Sequence, residues 1–291
     1  MNVEVRHLRA LAAIGDEGTI SAAAAVLRIS QPALSRTLDQ LERRLGTTLV
    51  ERTTRRLALT DAGRRLHERA HLILNQLDDA LAEATAGPQP LHVGFAWAAL
   101  GDHTVGLLRT WRDQHPAAPV RVHRRDDPET ALRRGELNAA IVRLMPSPPG
   151  DLLSAELYRE PRLAAVPDGH RLAGRSSVRL ADLRDERVVL CSTSATTGQL
   201  WPRDQRPHTF DVANVDEWLT TIATGEAVGV TAQGTERSHP YPGIRYLPIT
   251  DGGTVTVWLL WPRVPTHPAT GAFIDHARRA LKMTPHDSVS G

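Results

Sequence analysis

The chain has 291 residues, of which 41% are hydrophobic and 23% charged, with a formal net charge of only +2. That length suits one small domain plus a larger one, and the composition is that of an ordinary soluble globular protein. No run of 18 apolar residues offers a transmembrane helix, and Glu4, Arg6, His7 and Arg9 stand where a signal peptide would be apolar, which points to the cytoplasm.

The first elements are short helices. Leu8, Leu11, Ala12 and Ile14 form an amphipathic run that Asp16, Glu17 and Gly18 end. Thr19 is placed to cap a second helix holding Ile20, Ala23, Ala24 and Leu27. Arg28-Ile29-Ser30 is a turn, with Ser30 as the next N-cap and Pro32 in the first turn, where a missing N–H costs nothing. The third helix carries Leu34, Leu38, Leu41 and Leu45 on one face, and Gly46 closes it. Two helices joined by a three-residue turn are the geometry of a helix-turn-helix.

The outward face of the third helix bears Gln31, Ser35 and Arg36, then Asp39 and Gln40. Gln and Arg make bidentate contacts to base edges, and a recognition helix offers its N-terminal part to the major groove. By pattern alone, a merely solvated face is as good an account. Leu49 and Leu57-x-Leu59 then alternate as half-buried strands around Arg52, Thr53, Thr54, Arg55 and Arg56, a basic hairpin tip that reads as a wing able to reach phosphates.

The stretch from Ile20 through Ser30-Gln31-Pro32-Ala33-Leu34-Ser35 to Arg36 resembles the LysR-type transcriptional regulators. So do Leu41-Glu42-x-x-Leu45-Gly46-x-x-Leu49, Glu51-Arg52-Thr53 and Leu59-Thr60-x-Ala62-Gly63. Val50 departs from the family, which usually has Phe there. The resemblance implies DNA contacts from Ser30, Gln31, Pro32, Ser35 and Arg36, with Arg52 and Arg55 acting from the wing.

From Asp61 to Ala86 a single long helix is expected, with Leu66, Ala70, Ile73, Leu77, Ala80 and Ala84 spaced as a heptad seam for pairing two chains. A helix packed only on its own domain is the alternative. Gly87-Pro88-Gln89-Pro90 ends it. The resemblance makes this helix the dimerising linker and implies tetramers.

Beyond the break the pattern is α/β. Leu91 to Trp97 is a strand, Leu107, Leu108 and Trp111 are helical, Val120 and Val122 lie in a second strand, Glu129 to Gly135 is a short helix and Ala139 to Val142 a third strand. A second set follows: strands at Arg162 to Val166, Val188 to Leu190 and Val228 to Val230, with a helix over Val215 to Ile222. Val255 to Trp261 crosses back and Phe273 to Leu281 is the terminal helix. Two such lobes resemble periplasmic solute-binding proteins, as the family's effector domains do. The expected organisation is a winged helix-turn-helix over 1–60, the linker helix over 61–86, a hinge at 87–90 and an effector-binding domain over 91–291. Its lobe I is 91–161 with 265–291, and its lobe II is 162–264.

Ligands of open α/β sheets bind beyond the C-terminal strand ends. The effector candidates are therefore Trp97, Ala98 and Ala99, Arg124 and Asp126, Arg143, Ser192 and Thr193, and Thr231. Arg143 is the preferred anchor for a carboxylate, the alternative being an ion pair with Asp126 or Asp127. Trp97 beside two alanines suits a flat apolar or aromatic ligand, unless it is plain core.

Cys191 is the sole cysteine, so no internal disulfide or cysteine zinc cluster can form. The 13 histidines read as scattered, with no pair four apart on an evident helix, and neither metal nor cofactor is expected. No nucleophile elbow or phosphate loop supports an enzyme. The expected partners are double-stranded DNA, a small carboxylate or aromatic effector, a second copy of the chain and, for an activator, RNA polymerase. An architectural DNA binder and a small-molecule binder with a vestigial head are the competing classes.

Overall fold

The structure is a computed structural model that describes residues 3–52, 57–145, 150–192 and 197–282. It divides into two compact units, Met1–Gln89 with Thr130–Glu136, and Pro90–Glu129 with Leu137–Gly291.

The first unit opens with α1 (Val5–Glu17), α2 (Ile20–Val26) and α3 (Gln31–Leu45). Each boundary has a local cause. Thr19 Oγ1 accepts the Ala22 N–H at 3.2 Å and Ser30 Oγ accepts the Ala33 N–H at 3.3 Å, while Gly18 and Gly46 close α1 and α3 in the left-handed conformation. Leu11, Ile14, Leu34, Leu38 and Leu41 are fully buried together. Each such side chain contributes about 1.5–3 kcal/mol relative to exposure. The strands β1 (Val50–Arg52) and β2 (Leu57–Leu59) pair antiparallel as the expected wing.

The long helix α4 (Asp61–Ala86) is capped by Thr60 Oγ1, which accepts the Gly63 N–H at 3.0 Å. Only its first half is covered within the unit: Gly63, His67 and Ala70 are buried, whereas Ile73 and Leu81 are exposed. Gly63 lies so close to the backbone just before β1 that an added Cβ would sit 2.0 Å from the Leu49 carbonyl oxygen. Backbone cannot swing aside as a rotamer does. Gly63→Ala is therefore expected to destabilise the first unit by about 1–3 kcal/mol or more, read by denaturant unfolding of the whole chain. An unchanged midpoint would show that α4 does not depend on this close approach.

The second unit comprises β3 (Leu91–Phe95), α5 (His103–Gln114), β4 (Val120–Arg124), β5 (Ala139–Val142), β6 (Leu152–Pro167), β7 (Arg187–Cys191), β8 (His208–Val212), α7 (Val215–Ala223), β9 (Val228–Ala232), α8 (Gln233–Ser238), β10 (Ile244–Pro248), β11 (Thr254–Pro262) and α9 (Thr270–Lys282). The remaining short helix, α6 (Pro128–Arg133), spans the boundary between the two units. One continuous sheet runs in the order β4-β3-β5-β11-β6-β9-β7-β8, with β10 also on β6. In the first lobe β3 lies between β4 and β5, all parallel. In the second, β7 lies between β8 and β9, again parallel. The long strands β6 and β11 pair antiparallel and carry the sheet from one lobe into the other. Trp111, Leu107, Phe273 and Val257 fill the first lobe's core, and Val188, Val228, Val230 and Leu183 that of the second.

Three expectations change. The first strand stops at Phe95 instead of Trp97, because Ala98 and Ala99 turn the chain with φ of 50° and 38°. The strand expected at Arg162 to Val166 is the end of the 16-residue β6, whose first half is obscured by polar Ser154, Glu156 and Arg159 and by Pro161. β8, β10 and α8 add three short elements that were not expected.

Candidate functional site

In the first unit, the N-terminal turn of α3 stands clear of the core. Gln31, Pro32 and Arg36 are exposed and Ser35 is half-buried, with Leu34 and Leu38 directly behind them. The Ser21 hydroxyl donates to Gln31 Oε1 at 3.3 Å, so the amide nitrogen keeps its donors for another partner. No described residue pairs with the Arg36 guanidinium. Arg28 takes a φ of 55° in the turn between α2 and α3, a conformation that L-residues other than glycine enter only at a cost.

Glu42, on the buried side of α3, accepts the N–H groups of Leu49 and Val50 at 2.6 and 3.0 Å. This clasp fixes the start of the hairpin against α3. The periodicity of α3 gave no sign of it, because its partners are backbone. Arg52 begins the wing tip; its side chain, and Arg55 entirely, lie outside the described residues.

In the second unit, the candidates fall into two groups. Trp97, Ala98, Ala99, Arg143 and Thr231 converge; Arg124, Asp126 and Ser192 lie at the surface; Thr193 lies outside the described residues. Trp97 is buried, its indole N–H donating to Thr235 Oγ1 at 2.5 Å, and Thr235 in turn meets Thr231 Oγ1 at 2.6 Å. Trp97 and Trp218 pack edge-to-face with ring centroids 5.6 Å apart, and the His239 ring lies tilted to Trp97 with centroids 6.1 Å apart. Burial holds the His239 ring below the usual histidine range; Asp216 opposes this, and Arg124 and Arg143 reinforce it. The surface Arg124–Asp126 pair, at 3.5 Å, is largely screened by solvent. Ser192 Oγ donates to the Ala213 carbonyl.

Arg143 pairs not with Asp126 or Asp127 but with Glu160 on β6, Nε to Oε1 at 2.5 Å, with both side chains almost fully buried. Nη1 donates to the carbonyls of Trp97 and Ala99 at 2.6 and 3.0 Å, and Glu160 Oε2 accepts the Gly234 N–H at 2.8 Å. The Ser238 hydroxyl donates to the Ala98 carbonyl. The turn with two left-handed alanines is thus held at three successive carbonyls, which is what backbone strain needs in order to persist. Nη2 of Arg143 is buried without a partner among the described residues. Gly234 is what lets the pair close: a Cβ there would lie 2.6 Å from that nitrogen. A cavity of about 120 Å³ beside Leu100, His103, Tyr158 and Gly234 has room for a few waters or a small ion, well short of a pocket for a larger ligand.

Residues 5–64 match the bacterial regulatory helix-turn-helix protein, lysR family, and residues 86–282 match the LysR substrate binding domain. The chain belongs to the LysR family.

This LysR-type transcriptional regulator, with its helix-turn-helix and effector-binding domain, has relatives along its whole length. An uncharacterized HTH-type transcriptional regulator of Escherichia coli, YnfL, is 31% identical over 97% of this chain and 100% of its own. The small neutral protease regulatory protein of Streptomyces coelicolor is 32% identical over 85% of this chain and 78% of its own. Among solved structures, the LysR family transcriptional regulator CbnR superposes with a TM-score of 0.67 at 23% identity, covering 96% of this chain and 99% of that one, a likeness of fold. LysR-type proteins are transcriptional regulators, a class apart from enzymes; here the one cysteine, Cys191, is buried at the end of β7. Among the described residues no helix is long and apolar enough to cross a membrane.

The reading of the histidines also fails for this LysR-type chain. His67 and His71 stand four apart on α4, one turn of the same face, and with Asp16 they form a group whose ligand atoms all lie within 4.8 Å of one another.

Proposed function

We propose that two copies of this regulator pair through α4 and read a duplex with the N-terminal turn of α3. Ser30, Gln31, Pro32, Ser35 and Arg36 enter the major groove, and Arg52 and Arg55 reach phosphates from the wing. The free, outward Arg36 beside Gln31 is the observation that carries this reading, since a solvated arginine at this place has no other work in the fold. The uncovered Ile73, Ala80 and Ala84 of the α4 seam support the pairing. The setting is the cytoplasm, and a polymerase contact belongs to the reading only if the protein activates.

A small effector with a carboxylate and a flat apolar body is proposed to enter between the lobes beside Trp97. Arg124 and His239 stand at the mouth, the buried Thr231 and Thr235 hold the Trp97 indole from behind, and the unpartnered Nη2 of Arg143 lies behind the turn. Arg143 then acts through the Trp97–Ala99 backbone more than as an open anchor. Screening small carboxylates by thermal shift tests this; a hit whose effect survives Trp97→Ala unchanged would move the site elsewhere.

Arg36→Ala is expected to weaken specific binding to the chain's own upstream DNA by about 1–3 kcal/mol, measured by fluorescence anisotropy against a random competitor at fixed salt. A loss shared equally by specific and random duplex would reduce Arg36 to a phosphate contact. If the wild-type chain preferred no duplex, the whole reading would fall.

A further inference from the structure

We propose that Asp16, His67 and His71 form a binding site for a first-row divalent cation, zinc in particular, within the DNA-binding unit. The three side chains come from the end of α1 and from one face of α4. Their donor atoms converge on one point. The two Nε2 atoms are 3.3 Å apart. His67 Nε2 lies 3.0 Å from Asp16 Oδ1, and His71 Nε2 lies 3.2 Å from Oδ1 and 3.0 Å from Oδ2. Zinc binds histidine nitrogen at about 2.0–2.1 Å, so the edge of a tetrahedral site is about 3.3 Å. The observed separations, 3.0–3.3 Å, are close to those edges.

The surroundings favour this convergence. Gly15 precedes Asp16, and a Cβ there would lie 2.3 Å from the His67 ring, so only glycine lets that ring close on the carboxylate. Edge-to-face packing at 4.7 Å sets the two rings against each other. Arg134, in the segment Thr130–Glu136 that belongs to the same unit, donates to Asp16 Oδ1 at 3.1 Å. It orients the carboxylate from outside, as outer partners of metal ligands do, while its charge opposes the ion. Asp16 keeps a third of its surface and His71 about a sixth, so an ion has an entry path and water can fill the fourth position. Neutral imidazole and carboxylate together suit zinc better than calcium or magnesium, which prefer oxygen. An ion here would tie α1, and with it the helix-turn-helix core, to the linker helix.

The test uses the full-length, tag-free chain after chelator treatment and dialysis. Zinc titrated by calorimetry is expected to bind once per chain. Cobalt is expected to give the visible bands of a tetrahedral site, and the thermal midpoint to rise with the logarithm of free zinc. His71→Gln, at a part-exposed position, is expected to lose more than the roughly 10–100-fold that removal of an outer partner costs. Gly15→Ala is expected to weaken binding as well, by pushing out the His67 ring. If wild-type protein takes up no zinc, the cluster is a hydrogen-bonded one only. If a folded His67→Gln/His71→Gln double variant binds zinc as the wild type does, the ion sits elsewhere. Either result overturns the proposal.

Discussion

Replacing Arg143 with Met should lower the stability of the second unit by about 3–5 kcal/mol, because it strands Glu160 as an uncompensated buried charge. The destabilisation has two parts. Glu160 keeps the Gly234 N–H but is deprived of its ion pair, and the carbonyls of Trp97 and Ala99 are left without their donor. In a unit of this size each kcal/mol moves the melting point by roughly 2–4 °C, so a scan of the chain resolves the effect easily. The double variant Arg143→Met/Glu160→Leu should recover part of it, since apolar replacement of a whole buried pair is often neutral. A fall below about 1 kcal/mol, the range of exposed pairs, would mean that solvent reaches the pair. DNA affinity per folded molecule should change little, since Arg143 and all of its partners belong to the second unit.

The second large effect is expected from Trp218→Ala. Trp218 is almost fully buried, donates its indole N–H to the Val189 carbonyl at 3.0 Å and props Trp97 edge-on. Gly229 is shaped around it: a Cβ there would meet the indole at 2.2 Å. Truncation removes the ring, leaves a cavity and orphans a carbonyl, for an expected loss of about 3–5 kcal/mol. Beyond stability, Trp97 would be without one of its walls. Effector binding by the folded fraction should weaken along with the melting point. Intact effector affinity in a destabilised variant would detach Trp97's packing from its proposed role.

Local structure is written in the chain order: caps at Thr19, Ser30 and Thr60, stops at Gly18 and Gly46, the leucine face of α3, the length of α4 and the alternation that makes the second unit α/β. These rest on interactions between residues at most four or five apart, so a linear pattern carries them. The succession of motifs from Ile20 to Gly63 carried the family resemblance as well.

Which charges meet is settled by the packed fold. Arg143 and Glu160 are 17 residues apart on different segments, Trp97 and Thr235 are 138 apart, and Asp16 and His67 are 51 apart. Their pairing depends on strand order and on helix crossing, neither of which leaves a periodic trace. The same is true of Gly15, Gly63 and Gly234, whose value lies in what approaches them across the fold. Burial then reverses the meaning of a residue. Along the chain, Arg143 follows a strand and looks open to a ligand; in the fold it is desolvated, and the charge that compensates it, Glu160, comes from β6.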